Sequence, residues 1–215
     1  METLRRYRLT WMLLAATLLA PVLVYDRLPD SVPTHWNARG EIDAWMPKSI
    51  GAFAIPLTSA FVSILCVLAP ALSPKGFEMN RMERVYPTMV AAIAAAMLYV
   101  TILMLRAALG TLVAMHHHAV GIAGLVFVVV GNYLGKSTRN FFFGIRTRWT
   151  LTSDEVWERT HRFAGPVFVV AGFVLLGSAI MEAVHLLVVL GVIAVTIIAP
   201  VVQSFLFWRR TDARR

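Results

Sequence analysis

Six apolar runs, each at or above the roughly 17 residues that can cross about 30 Å of hydrocarbon, decide what this chain can fold into. They are Leu9–Tyr25, Ser49–Ala69, Pro87–Leu105, Val113–Leu134, Phe163–Met181 and Ala183–Trp208. In lipid every backbone N–H and C=O must be satisfied internally, so runs of this length are expected to be helices. With 58% apolar and 15% charged residues, an ordinary soluble domain is excluded. The sequence predicts an all-α, polytopic integral membrane protein, a bundle of about six transmembrane helices. The first run follows a basic start, as in a secretory signal, but no small-x-small cleavage site follows it, and it reads as an uncleaved span. Pro56 is expected to kink the second run, and Ala91, Ala92 and Ala94–Ala96 to let a neighbour approach the third. Only Glu182 and His185 interrupt the last two runs. One helix of about 45 residues would reach about 68 Å, so two antiparallel helices joined by a tight turn are expected.

The cations report orientation. With six spans, sixteen of the twenty Lys and Arg residues fall on the side of the N-terminus, the second and fourth loops and the tail. Arg27, Arg39, Lys48 and Arg106 fall on the other. The positive-inside rule then places both termini in the cytoplasm. The net charge of +8 therefore needs no nucleic-acid partner to explain it.

Several kinds of chemistry lack their equipment. The single cysteine, Cys66, sits in an apolar run and offers neither a disulfide nor a thiolate metal site. His116, His117 and His118 are consecutive, so their side chains leave a helix about 100° apart and suit one ion poorly; no metal and no cofactor is expected. No nucleophile elbow, phosphate loop or dinucleotide fingerprint is present, and the chain does not read as an enzyme. Arg106 and Glu182 lie at span ends, so the mid-membrane charges that usually mark a transport path are almost absent. Gly131 and Gly135 have small-x-x-x-small spacing, a pattern that also arises by chance at helix ends.

Two polar loops carry what remains. Asp26–Lys48, expected outside, holds PTHWNARGEIDAW, with Pro29, Pro33 and Gly40 as turn formers and Trp36 and Trp45 at headgroup level. It is expected to form a small folded cap. The stretch from Gly131 to Phe163, expected inside, holds Lys136, Arg139, Arg146, Arg148, Arg159 and Arg162 among aromatic residues. Phe141–Phe143 reads there as a membrane wedge, Gly135 and Gly144 as positions of positive φ, and Thr152 with Glu155 as a capping box opening a short helix to about His161.

These two loops also carry a resemblance. Asn132-Tyr133-Leu134, Asn140-Phe141-Phe142-Phe143-Gly144-Ile145-Arg146-Thr147, Trp149-Thr150-Leu151, Glu155-Val156-Trp157 and Thr160-His161 resemble the SdpI family of bacterial membrane proteins. Gly135 and Arg148 stand where many relatives are expected to have proline. Leu28-Pro29, Pro33, His35-Trp36-Asn37, Gly40, Asp43 and Trp45-Met46-Pro47-Lys48 resemble the uncharacterised N-terminal domain often joined to the SdpI-type half. The chain is accordingly divided into an N-terminal membrane half, 1–110, and an SdpI-like half, 111–215. The resemblance implies immunity to a secreted, membrane-active peptide toxin, with sequestration of a cytoplasmic repressor as a signalling version. The residues it nominates for binding a toxin or partner are His35, Trp36, Asn37, Asp43 and Trp45 outside, and Asn140, Gly144, Arg146, Thr147, Trp149, Glu155 and Trp157 inside. Two alternatives stay open: a small transporter or lipid-handling protein, and an enzyme working through His35. The lipid bilayer is the one partner that every reading shares.

Overall fold

The computed structural model describes residues 2–72, 85–140 and 143–212. Three expectations fall outside them: the cations Lys75, Arg81 and Arg84 of the second loop, Phe141 and Phe142 of the wedge, and Arg214 and Arg215 of the tail. In chain order the elements are α1 (Glu2–Arg6), α2 (Arg8–Val24), β1 (Ser31–Trp36), β2 (Ile42–Pro47), α3 (Lys48–Leu68), α4 (Tyr86–Ala108), α5 (Met115–Leu134), α6 (Arg148–Thr152), α7 (Asp154–Ile180) and α8 (Leu186–Asp212). Short 3₁₀ turns follow α2 and α3. Six helices among the described residues are long and apolar enough to cross a membrane, and they coincide with the six apolar runs.

The chain forms two compact units, Met1–Val67 with Pro87–Ala119, and Leu68–Tyr86 with Val120–Arg215. In the first, β1 and β2 make an antiparallel hairpin whose register shifts between Pro33 and Trp36, where proline lacks the N–H that a regular ladder requires. Val32 of β1 is fully buried in a cluster with Leu28, Ala52, Met104, Leu105 and Ala108, and Trp36 packs against it. Gly51 is what lets α3 come so close to the strand: a Cβ there would stand 2.6 Å from Val32 Cγ2. The expected external cap is thus a hairpin held on an apolar seat. Only β1 is seated, for five of the six residues of β2 are exposed.

In the second unit α7 and α8 pack along one another, and α5 crosses α7 through glycine. A Cβ at Gly131 would lie 2.7 Å from the carbonyl oxygen of Gly165, and one at Gly165 would lie 2.9 Å from that of Gly131. Gly124 and Gly172 repeat the contact, at 2.8 and 2.6 Å. Each helix therefore offers two glycines one heptad apart, paired in antiparallel order. This corrects the expectation of a chance pattern at Gly131–Gly135: Gly131 does mark a close crossing, but its companion is Gly124, two turns earlier on the same face. Gly135 keeps an ordinary φ, so the expected positive φ there is also corrected, whereas Gly144 does adopt one, +112°.

Helix boundaries follow local chemistry. Ser153, in extended conformation, accepts from the N–H of Val156 at 3.3 Å, and Asp154 and Glu155 place negative charge at the positive end of the α7 dipole. The expected cap, Thr152, is spent instead on closing α6, its hydroxyl donating to the carbonyls of Arg148 and Trp149. The short helix expected to stop near His161 is the first part of α7, which runs unbroken for 27 residues. Between α7 and α8 the turn is tight, with Glu182 in the left-handed region at φ 52°.

Candidate functional site

Two polar clusters stand out, one in each unit. The first is the hairpin. Asn37 organises its turn: the side-chain oxygen accepts from the N–H groups of Arg39 (2.8 Å) and Glu41 (3.1 Å), and the amide nitrogen donates to Glu41 Oε2 at 2.8 Å. Gly40 completes the turn at φ +80°, against the ring of His116. His35 and Asp43 pair across the strands by Nδ1 and Oδ1, both side chains well exposed. A pair so open to water adds little to stability. Trp45 and Met46 on β2 are 55% and 43% exposed, which leaves an apolar and acidic strand surface facing outward.

The second cluster is the segment from Ser137 to Arg162, where hydrogen bonds replace regular structure. Its centre is Trp157, 1% exposed, whose indole Nε1 donates to the carbonyl of Ser137 at 3.0 Å. Its ring stacks on that of His161, with centroids 4.1 Å apart and planes 21° apart. His161 is fully buried and uses both nitrogens. The N–H of Ile145 donates to Nε2 at 2.8 Å, so the ring proton sits on Nδ1, which donates to the carbonyl of Trp157 at 2.8 Å. Gly144 lies against Nε2, where any Cβ would collide with the ring.

Around this centre the loop is cross-tied. Fully buried Asn140 donates to the carbonyls of Thr138 (2.9 Å) and Phe143 (3.0 Å) and accepts from the N–H of Phe143 at 2.7 Å. Thr147 and Thr150 form a reciprocal capping box on α6. The Thr147 hydroxyl also meets that of Ser204 at 3.3 Å, tying the loop to α8. Arg139 bridges to Asp154 at 2.8 Å and donates to the carbonyl of Leu151 at 2.8 Å. The pairing of the Asn140 amide, the Trp157 indole and the His161 imidazole fixes one conformation of the loop. The arrangement can present a rigid surface; it brings no nucleophile and base together.

The profile of the SdpI/YfhL protein family matches residues 136–204. It runs from the loop through α6 and α7 to Ser204, the residue that Thr147 reaches. Residues 12–59, which include the whole hairpin, match a domain of unknown function (DUF1648). Residues 136–204 are an SdpI-type region of this membrane protein. It is 22% identical over 205 residues to the Immunity protein SdpI of Bacillus subtilis (strain 168), an alignment that takes in 92% of this chain and 93% of that protein. No solved structure matches it.

Among the residues that sequence nominated, Asn140, Gly144, Thr147 and Trp157 belong to one network within the SdpI-type region. Trp149 stands beside it against Phe205 and Trp208, Arg146 is exposed, and Glu155 pairs with Arg159 one helical turn on, at 3.3 Å. In the hairpin, His35, Asn37 and Asp43 shape the turn region and Trp45 is exposed, but Trp36 serves the packing. Sequence reasoning missed His161, Thr150 and Ser204. The first two stand in the motif strings, but His161 sits between Thr160 and Arg162, a polar setting that gives no sign of burial. Ser204 carries no mark. Among the described residues no three of His, Cys, Asp and Glu gather to hold a metal ion.

Proposed function

We propose that this chain protects the cell that carries it from a secreted, membrane-active peptide toxin, acting by binding and not by catalysis. The observation that carries the reading is the alignment with a protein named for immunity along nearly the whole chain, hairpin and loop together. The positive-inside count sets the hairpin outside, where a secreted peptide arrives. Its exposed Asp43, Trp45 and Met46 suit a cationic, apolar peptide. The loop from Ser137 to Arg162 then faces the cytoplasm, and its exposed Arg146 is placed to meet a soluble partner such as a repressor. A signal between the two faces requires the toxin to favour one packing of the bundle over another.

The test is survival. A strain lacking the gene should be inhibited by culture supernatant of its own parent, and a wild-type copy should restore growth. Asp43→Asn with Trp45→Ala should fail to restore it while reaching the membrane in equal amount on a blot. Trp36→Ala is a poor probe, because it removes packing as well as surface. A deletion strain indifferent to the supernatant, with substrate flux through the protein in proteoliposomes, would replace immunity by transport.

A further inference from the structure

Between α6 and the end of α8 lies a cleft of about 430 Å³ that the loop network does not use. Arg148, Trp149 and Thr152 line it from α6, Phe205 and Trp208 from α8. Its walls are rings: Trp149 meets Phe205 edge-on at 5.5 Å and Trp208 at 6.4 Å, and Phe205 and Trp208 stack at 5.9 Å. Two groups at this cleft lack the partners their chemistry calls for. The indole Nε1 of Trp149 is shut away from solvent with no acceptor, a condition that native proteins seldom leave unmet. Arg148 is exposed and has no carboxylate partner among the described residues. Arg209 adds positive charge from over the outer ring, 5.9 Å from the centre of Phe205.

The depth of the cleft narrows the choice of ligand. Phe205 and Trp208 stand where the apolar run of α8 gives way to Arg209 and Arg210, which is headgroup level for a span of this kind. A ligand with an apolar body and an anionic, acceptor-rich end fits the lining, and at that level phospholipid is always at hand. We propose that the cleft is a binding site for one anionic glycerophospholipid. The upper acyl segment lies against Trp149, Phe205 and Trp208, and Arg148 takes the phosphate. This site stands apart from the immunity reading and does not depend on it.

The purified full-length protein, stripped of lipid in detergent, would be titrated with dioleoylphosphatidylglycerol and separately with dioleoylphosphatidylcholine, and retained lipid counted by native mass spectrometry. Tighter retention of phosphatidylglycerol is expected. Arg148→Gln, at an exposed position, should reduce that preference about five-fold, the effect of one arginine at an anionic surface. Trp149→Phe narrows the ring wall of the cleft and should weaken retention of both lipids. Inorganic phosphate should not displace the lipid. Equal retention of the two lipids by the wild type, or an unchanged preference in Arg148→Gln, overturns the proposal. Displacement by inorganic phosphate overturns it too, in favour of a free-anion site. Each variant is first checked for wild-type unfolding temperature; if Trp149→Phe fails that check, Arg148→Gln decides alone.

Discussion

Gly144→Ala should damage the loop more than its size suggests, by two separable routes. At φ +112° an alanine is held in backbone space that side chains rarely enter, which costs about 1–3 kcal/mol. Its Cβ also collides with Nε2 of His161, so the ring must move and the N–H of Ile145 loses its 2.8 Å acceptor. A buried donor left unmade costs about 1–3 kcal/mol more. Together these amount to about 2–6 kcal/mol, a large part of the roughly 5–15 kcal/mol that holds most folds together. The assay is thermal unfolding in detergent followed by tryptophan fluorescence, since Trp157 stacks on the displaced ring. A fall of at least about 4 °C is expected, at roughly 2–4 °C per kcal/mol for a chain of this size. Gly135→Ala is the control: its Cβ would meet Arg162 Cα at an ordinary 3.6 Å without a positive φ, and its unfolding temperature should not fall. In a Gly144→Ala, His161→Ala double variant the collision is gone and only the backbone cost persists, so the two single losses should sum to more than the double. Equal effects at 144 and 135, or strict additivity with His161→Ala, would refute the reasoning.

Other outcomes follow from the same geometry. Gly165→Ala should lower the unfolding temperature sharply, because its Cβ meets a backbone carbonyl at 2.9 Å, whereas Gly177→Ala, with no atom within 4 Å, should be neutral in the same measurement. Trp157→Phe keeps the stack but strands the carbonyl of Ser137, and should cost about 1–3 kcal/mol in a denaturation series. Asp43→Ala should change stability by less than about 1 kcal/mol, since its ion pair is exposed, and still abolish protection in the survival assay. Reporter fusions at Ser137 and Arg215 should read cytoplasmic and those at Arg39 and His117 external; a cytoplasmic signal at Arg39 would overturn the orientation.

The six spans were legible because hydrophobic length is a one-dimensional property: nothing about packing is needed to see that 163–181 must be helical. The loop was legible as a motif and opaque as a structure. Its composition shows cations and aromatics and suggests lipid, yet the residues that shape it, Asn140, Thr147, Trp157 and His161, turn inward to meet backbone groups. Which carbonyl an asparagine or indole will find depends on the path of the chain, and composition does not encode that path. Capping failed at Thr152 for a related reason. Two residues in succession were able to cap, and the presence of α6, invisible as a five-residue helix, decided in favour of Ser153. The glycine crossing escaped because its repeat is seven and its partners lie on another helix.

That repeat leaves an ambiguity which something else must remove. Glycines one heptad apart on both α5 and α7 can be matched in more than one way. Sliding α7 by seven residues, about 10.5 Å, would set Gly131 against Gly172 and keep one good crossing out of two. Glycine alone therefore specifies closeness without specifying alignment. Alignment comes from the far end of the helix, where Trp157 at the start of α7 is fastened to the carbonyl of Ser137, three residues past the end of α5. A slip would tear that bond and carry His161 away from Ile145. The loop thus works as a stop on a ratchet with two teeth, and a chain without Trp157 would be free to settle one tooth out of place.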